Sequence, residues 1–295
     1  MTRNPNRTMS RDDLLEDRGM VEAVHELVNV GKWLLKKGGK FSSWVGTLTQ
    51  DHVPSTVLNK GPAYEALPGW PWDEDIPWFT LWEYSWVLRH LKEWTDKPIH
   101  ILSLGGNACL LDVTLLARGH TVTLIDRRGL SVQQQQVNAR LMGATARLSA
   151  HVGAMEDVIP RLAMASVFTA MTSTNVLFLA GSAARQAVSE QMQELIVPAG
   201  RAFVTFDYLN PNPVRYLDDP LTYFSWPGFH PLPYSSNIPE ANLEKGDLEK
   251  GIERARQPGP GASFFDNGER YHLYYPEPAK GLYTAGGLIQ ERDRF

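Results

Sequence analysis

Two short stretches of the 295-residue chain have the residue types and the spacing to hold a nucleoside. An apolar run over residues 99–104 stops at Gly105-Gly106-Asn107, and a β-branched run over residues 121–125 stops at Asp126. Glycine lets a backbone approach a ligand closely, and the start of the following helix offers N–H groups without intrahelical partners. A carboxylate at the next strand end can accept hydrogen bonds from both hydroxyls of a ribose. Asp126 stands 21 residues after Gly105, the length of one strand–helix–strand step. That spacing serves a nicotinamide dinucleotide and S-adenosylmethionine equally well, and Asp126 at a strand end is also the residue type that caps a turn.

Further candidates surround this pair. Arg127 adjoins Asp126, Glu156 and Asp157 follow the third expected strand, and Ser173 closes the fourth. Glu83 and Tyr84, on a helix before the first strand, are placed to reach the ammonium or carboxylate of a cofactor, with packing as the competing role. Asp207, at the expected end of the fifth strand, and His230 are the candidate bases, histidine being the side chain best placed to take up a proton near neutral pH. Tyr208 and Trp226 are the candidate acceptor contacts. His151 and His272 sit in apolar strands and read as core residues, and Cys109 as a small residue at a helix start. No metal site is expected: the chain has no His-x-x-x-His pattern, it lacks a Gly-Lys-Ser/Thr phosphate loop, and Asp218-Asp219 reads as a solvated loop.

Several elements must position these residues. Apolar positions Leu14, Val21, Val24, Leu27, Val28 and Leu35 predict a helix capped by Ser10 and ended by Gly38-Gly39. A Gly/Pro-rich loop follows, then a helix over residues 78–94. From about residue 97 to 208 strands and helices alternate: strands over 99–104, 121–125, 146–152, 166–172 and 201–206, helices over 110–118, 132–141 and 183–196. Short connections and this alternation predict a parallel sheet covered on both faces. Residues 240–256 read as a charged surface helix, and 271–275 with 282–289 as a closing antiparallel pair. The expected division is a Trp-rich helical extension or lid over 1–96 and an α/β domain over 97–295, with an irregular insertion at about 209–268.

The segment Ile101-Leu102-Ser103-Leu104-Gly105-Gly106-Asn107, continued by Thr123-Leu124-Ile125-Asp126, resembles the first motif and second-strand acid of class I S-adenosylmethionine-dependent methyltransferases. Leu81-Trp82-Glu83-Tyr84-Ser85-Trp86 is similar to the aromatic entry helix of bacterial members. Ser173-Thr174-Asn175-Val176-Leu177 resembles the segment after strand four, and Glu194-Leu195-Ile196-Val197-Pro198-Ala199-Gly200-Arg201 the passage into strand five. The resemblance covers roughly residues 78–210. It implies a doubly wound, seven-stranded α/β sheet, mostly parallel with a closing antiparallel strand. It also implies S-adenosylmethionine as cofactor, held by Gly105, Gly106, Asn107, Asp126, Arg127, Glu156, Ser173 and Tyr84, and methyl transfer to a small-molecule or glycan-like acceptor. The chain departs from the family pattern at Ser103, where an acid is usual, and at Asn107 and Cys109, where glycines are usual. It departs again at Ala154, in place of the third-strand acid, and at Phe178-Leu179, in place of a Glu-His pair. These departures keep a second reading open, a catalytically silent scaffold or partner subunit. An NAD(P)-dependent oxidoreductase is the third, against which the glycines fail to follow Gly-x-Gly-x-x-Gly.

Composition narrows the setting. A net charge of −4 gives no electrostatic footprint for nucleic acid, and the one basic cluster, Lys36-Lys37 with Lys40, reads as a solvated helix end. One cysteine excludes an intramolecular disulfide and fits a reducing cytoplasm. Residues 1–18 lack the apolar segment of a signal peptide, and no run approaches the roughly 18 apolar residues that span a bilayer. A homodimer or a partner subunit is left open by the sequence.

Overall fold

The structure, a computed structural model, describes residues 5–8, 13, 17–41, 78–105, 108–165, 167–174, 176–177, 180–209, 223–232, 272–273 and 282–294. Its core is the alternation read from the sequence. In chain order run β1 (Arg7–Thr8), α1 (Arg18–Lys36), α2 (Trp78–Trp94), β2 (His100–Leu104), α3 (Leu110–Ala117), β3 (Thr121–Asp126) and α4 (Gly129–Leu141). They continue with β4 (Leu148–Val152), α5 (Met155–Ala165), β5 (Phe168–Thr174), α6 (Ser182–Leu195), β6 (Ile196–Leu209), β7 (Phe229–Pro231), β8 (His272–Leu273) and β9 (Leu282–Arg292).

Seven strands form one path in the order β4-β3-β2-β5-β6-β9-β1. β4, β3, β2, β5 and β6 are parallel. β9 closes them antiparallel to β6, in register from Arg201↔Glu291 to Leu209↔Tyr283. The chain steps outward from β2 to β4 and then returns to β5 on the other side of β2, so the order switches between β2 and β5. The outer edge of β9 is tiled by three short strands: β7 against 290–292, β1 against 286–287 and β8 against 282–283. Such pieces cover backbone groups that a bare edge would offer to another chain. The β8–β9 pairing is the closing pair read from residues 271–289; β1 and β7 carry too few residues to leave a pattern.

Helices cover both faces. On one, α1 to α4 build a core with Leu27, Leu34, Trp82, Trp86, Leu110 and Leu115. On the other, α5 and α6 pack Ile159, Leu162, Val188 and Met192 against Phe168, Val204 and Phe206. α2 is buried from Leu81 to Leu91 except at Arg89, which is half-buried, and its last turn, with Lys92 and Glu93, is exposed. Its buried indoles are hydrogen-bonded, as buried polar groups must be: Trp82 and Trp86 donate through their indole N–H groups to Asp13 (2.9 Å) and to the carbonyl of Pro5 (3.1 Å).

Several elements differ from expectation. The first helix begins at Arg18, capped by Asp17, whose carboxylate accepts from the Met20 amide; Ser10 lies outside the described residues. The strand expected from residue 146 starts at Leu148, after a 3-10 turn over Thr145–Arg147. α5 was unforeseen because Pro160 stands inside it, against the usual rule, while Val158, Ile159 and Leu162 supply its buried stripe. The expected helix over 240–256 and the loop at 218–219 lie outside the described residues.

Candidate functional site

The carboxyl ends of β2, β3 and β5 meet at the switch point, where ligands of open α/β sheets bind. Leu104 pairs with Ile125, so Gly105 and Asp126 emerge side by side, and the Gly105 amide donates to the Ile125 carbonyl at 2.7 Å. Gly105 has φ +69°, and a Cβ there would stand 2.6 Å from a methyl of Val176, which follows β5. Both facts require glycine. Ala108 also takes a left-handed conformation, φ 58°, as the chain turns into α3. For alanine that conformation costs roughly 1–2 kcal/mol, and strain of this kind collects at functional loops.

Asp126 is 6% exposed, and its Oδ1 accepts from the Arg128 amide at 2.8 Å. Its backbone carbonyl receives the Gly153 amide at 3.1 Å, which joins the end of β4 to the same rim. The capping role weighed for this residue is therefore present, at the place where a ribose would be held. Arg127 is exposed beside it, and Glu156 is exposed in the first turn of α5. Gly106 and Asn107 lie outside the described residues.

Beneath the rim is a buried polar network that sequence reading missed. The Ser103 hydroxyl donates to Asp112 Oδ1 at 2.7 Å. Gln135 Nε2 donates to Asp112 Oδ2 (3.3 Å) and to the Cys109 carbonyl (2.9 Å). Asn138 extends the chain of bonds to Gln135 Oε1 (3.1 Å) and the Lys40 carbonyl (2.7 Å). Burial pushes the Asp112 carboxyl up to about 6 against the pull of the Ser103, Cys109 and Gln135 hydrogen bonds, and the charge of Asp126 adds to the rise. Burial likewise holds the Tyr84 hydroxyl and the Cys109 thiol well above their ordinary values. Tyr84 and Glu83 are both buried, with Tyr84 against this network. A spacing of nine residues between Ser103 and Asp112 was the available signal: a polar residue inside the strand and an acid in the first turn of an apolar helix.

The remaining candidates separate. Ser173 is fully buried and its hydroxyl accepts from the Leu177 amide at 2.9 Å, which shapes the turn carrying Val176 onto Gly105. Asp207 and Tyr208 lie at the carboxyl end of β6, paired with Ala285 and Thr284. His230 does not join them. It pairs with Glu291, which faces Arg201 near the opposite end of β6, roughly 20 Å away at about 3.4 Å per residue. There its Nδ1 meets Asp293 Oδ1 at 2.9 Å. Trp226 is buried with Phe224, meets the half-buried Phe229 edge-on, and lines a cleft of about 170 Å³ between α6 and residues 223–226. Among the described residues no group of three His, Cys, Asp or Glu is arranged to hold a metal ion.

No family model and no curated protein matches this sequence. Solved structures do. A Galdieria sulphuraria protein classed as a sarcosine dimethylglycine methyltransferase superposes with a TM-score of 0.52 at 9% identity, over 90% of this chain and 99% of its own. TehB from Haemophilus influenzae gives a TM-score of 0.45 at 12% identity, over 70% of this chain and 61% of TehB. A Geobacter sulfurreducens S-adenosylmethionine-dependent methyltransferase, solved with S-adenosyl-L-homocysteine, gives 0.36 at 15% identity over 44% and 50% of the two chains. Strand order, the closing antiparallel β9 and the first of these superpositions agree: the chain has the class I methyltransferase fold.

Proposed function

We propose that this chain binds S-adenosylmethionine at the rim formed by Gly105 and Asp126 and directs its methyl group to a small-molecule acceptor. The observation that carries the reading is the placement of one buried carboxylate, Asp126, beside a left-handed glycine at the switch point of the sheet. The donor set fits a nucleoside: a carboxylate for two ribose hydroxyls, a close backbone at Gly105, and the start of α3 with no side-chain cap from Cys109. When bound, the cofactor supplies an electrophilic methyl group on a sulfonium. The chain supplies position: Asp126 fixes the ribose, Val176 and Ala108 fix the loops around it, and the acceptor's nucleophile is held in line with the methyl group. Asp207, at the end of β6, is the base for an acceptor that must lose a proton, with Tyr208 beside it. Residues 1–96, expected as an extension or lid, and the insertion would complete the acceptor side. No helix among the described residues is long and apolar enough to cross a membrane, and we place the chain in the cytoplasm.

Calorimetric titration with S-adenosylhomocysteine tests this reading. Saturable heat is expected from the unaltered chain, and Asp126→Asn, which still caps the turn, is expected to weaken binding about ten- to a hundredfold, roughly 1.4–2.8 kcal/mol. No heat and no thermal shift at millimolar ligand would sink the enzyme reading in favour of a silent scaffold. That second reading has an observation of its own, since Ser103 spends its hydroxyl on Asp112. Protection by NAD but not by S-adenosylhomocysteine would favour an oxidoreductase.

A further inference from the structure

The cleft beside Trp226 adjoins the cofactor rim through two consecutive residues. Val176 packs over Gly105, and Leu177, the next residue, forms part of the cleft wall. The opposite wall is aromatic and fixed. Tyr223 and Trp226 both meet Phe224 edge-on, with centroids at 5.0 and 6.0 Å, and Trp226 meets Phe229 at 5.9 Å. Tyr223, half-buried, presents its apolar surface with little further loss of rotamer freedom, and the buried Phe224 and Trp226 back it.

One cation stands in this cleft. Arg185, in the first turns of α6, lies 5.0 Å above the Tyr223 ring, and its Nη1 donates to the Ala180 carbonyl. The next acid along the helix, Glu190, accepts instead from Gln186 at 2.7 Å. Among the described residues Arg185 forms no ion pair, so a permanent charge with a planar fork of donors faces a small cleft without a carboxylate to match it. Ser189 and Ser225 add hydroxyls to the lining. A volume of about 170 Å³ lies below the ~300–1,000 Å³ of pockets for drug-sized ligands. The occupant is small.

We propose that this cleft is a binding site for a small planar carboxylate, its carboxylate on Arg185 and its flat body along Tyr223, with Trp226 behind it. Guanidinium matches carboxylate geometry with two parallel hydrogen bonds, and a ring or amide plane stacks on aromatic walls. That this ligand is the methyl acceptor rests on the reading above; the carboxylate site itself does not.

Benzoate is the probe, titrated into the full chain and followed by saturation-transfer NMR, with benzyl alcohol and phenyl phosphate alongside. Saturable millimolar binding of benzoate is expected, at least tenfold weakened by Arg185→Gln and lost in Ser189→Phe, which fills the cleft and keeps the arginine. Benzyl alcohol, without the charge, is expected to bind at least tenfold more weakly. Unchanged benzoate affinity in Arg185→Gln, or no saturation at tens of millimolar, overturns the proposal. Tighter binding of phenyl phosphate than of benzoate overturns the carboxylate assignment. S-adenosylhomocysteine titrated into the same samples separates the two failures: benzoate binding without it removes the methyltransferase reading and leaves the cleft, whereas nucleoside binding without benzoate removes the cleft alone.

Discussion

Asp112 and Asp126 belong to the same strand–helix–strand unit, and the fold uses them in opposite ways. Asp126 ends a strand at the rim, where one oxygen caps the next turn and its neighbours Gly105 and Gly153 are backbone. Asp112 sits in the first turn of α3, 1% exposed, with both oxygens accepting from protein donors. Burial inside a hydrogen-bonded network makes Asp112 scaffold; a strand end beside a glycine is where we propose the site. Residue type separates neither, and position in the fold separates both.

The largest expected effect tests the rim side of this contrast. In Gly105→Ala the new methyl group enters a space 2.6 Å from Val176, and alanine must hold φ +69°. A left-handed alanine costs roughly 1–2 kcal/mol and overpacking roughly 1–3, so urea denaturation is expected to show a loss of about 3 kcal/mol. Val176→Ala in the same chain removes the overlap and leaves the backbone term, returning about half of the loss. A stable Gly105→Ala chain would mean that the rim is looser than the packing of Val176 implies.

Asp112 supplies the second test, through pH. Its pKa is raised on folding, from 3.8 to about 6, mainly by burial. Between these values the folded state keeps a proton that the unfolded chain has released, so this group lowers stability as pH rises from about 4 to 6. Above that window the penalty is complete, on the order of 3 kcal/mol. His120 acts in the opposite sense. Burial, with the charge of Arg118, lowers its pKa from 6.5 to about 4, so its contribution is lost as pH falls through that range. The two slopes oppose each other in the unaltered chain. Asp112→Asn unmasks His120, and its stability is expected to climb more steeply than that of the parent between pH 4 and 6.5. Superimposable profiles would show that Asp112 is not buried as a charge.

The same contrast explains what the sequence disclosed. Gly105 and Asp126 were legible because a strand end followed by glycine, and another followed by an acid, are local patterns. The alternating strands and helices from His100 to Leu195 were legible for the same reason, α5 excepted, and so was the β8–β9 pair. The network of Ser103, Asp112, Gln135 and Asn138 was not, because its members meet only after α3 and α4 pack against β2. α5 was hidden by Pro160, whose local preference lost to the burial of Val158, Ile159 and Leu162. Arg185 carried no signal before Tyr223 was brought over it.

His230 lies apart from the rim, and it gives the smallest expected effect. As a histidine in a Trp/Pro-rich segment it looked like a base, yet β7 carries it to the 290–292 end of β9, away from the rim. Its pairing with Asp293 is partly solvated, with side chains 23% and 53% exposed, and such pairs contribute roughly 0–1 kcal/mol. His230→Ala is therefore expected to cost less than about 1 kcal/mol and to leave nucleoside affinity unchanged. The rim-side partner in this test is Asp207→Asn, expected to slow transfer to a hydroxyl acceptor by about a hundredfold or more at unchanged nucleoside affinity, the usual yield of a positioned base. A hundredfold loss in His230→Ala with none in Asp207→Asn would reverse the two ends of the sheet. Chemistry would then lie at the amino ends of the parallel strands, where Arg201, Glu291 and His230 share adjacent register rows, and the carboxyl rim would be reduced to scaffold.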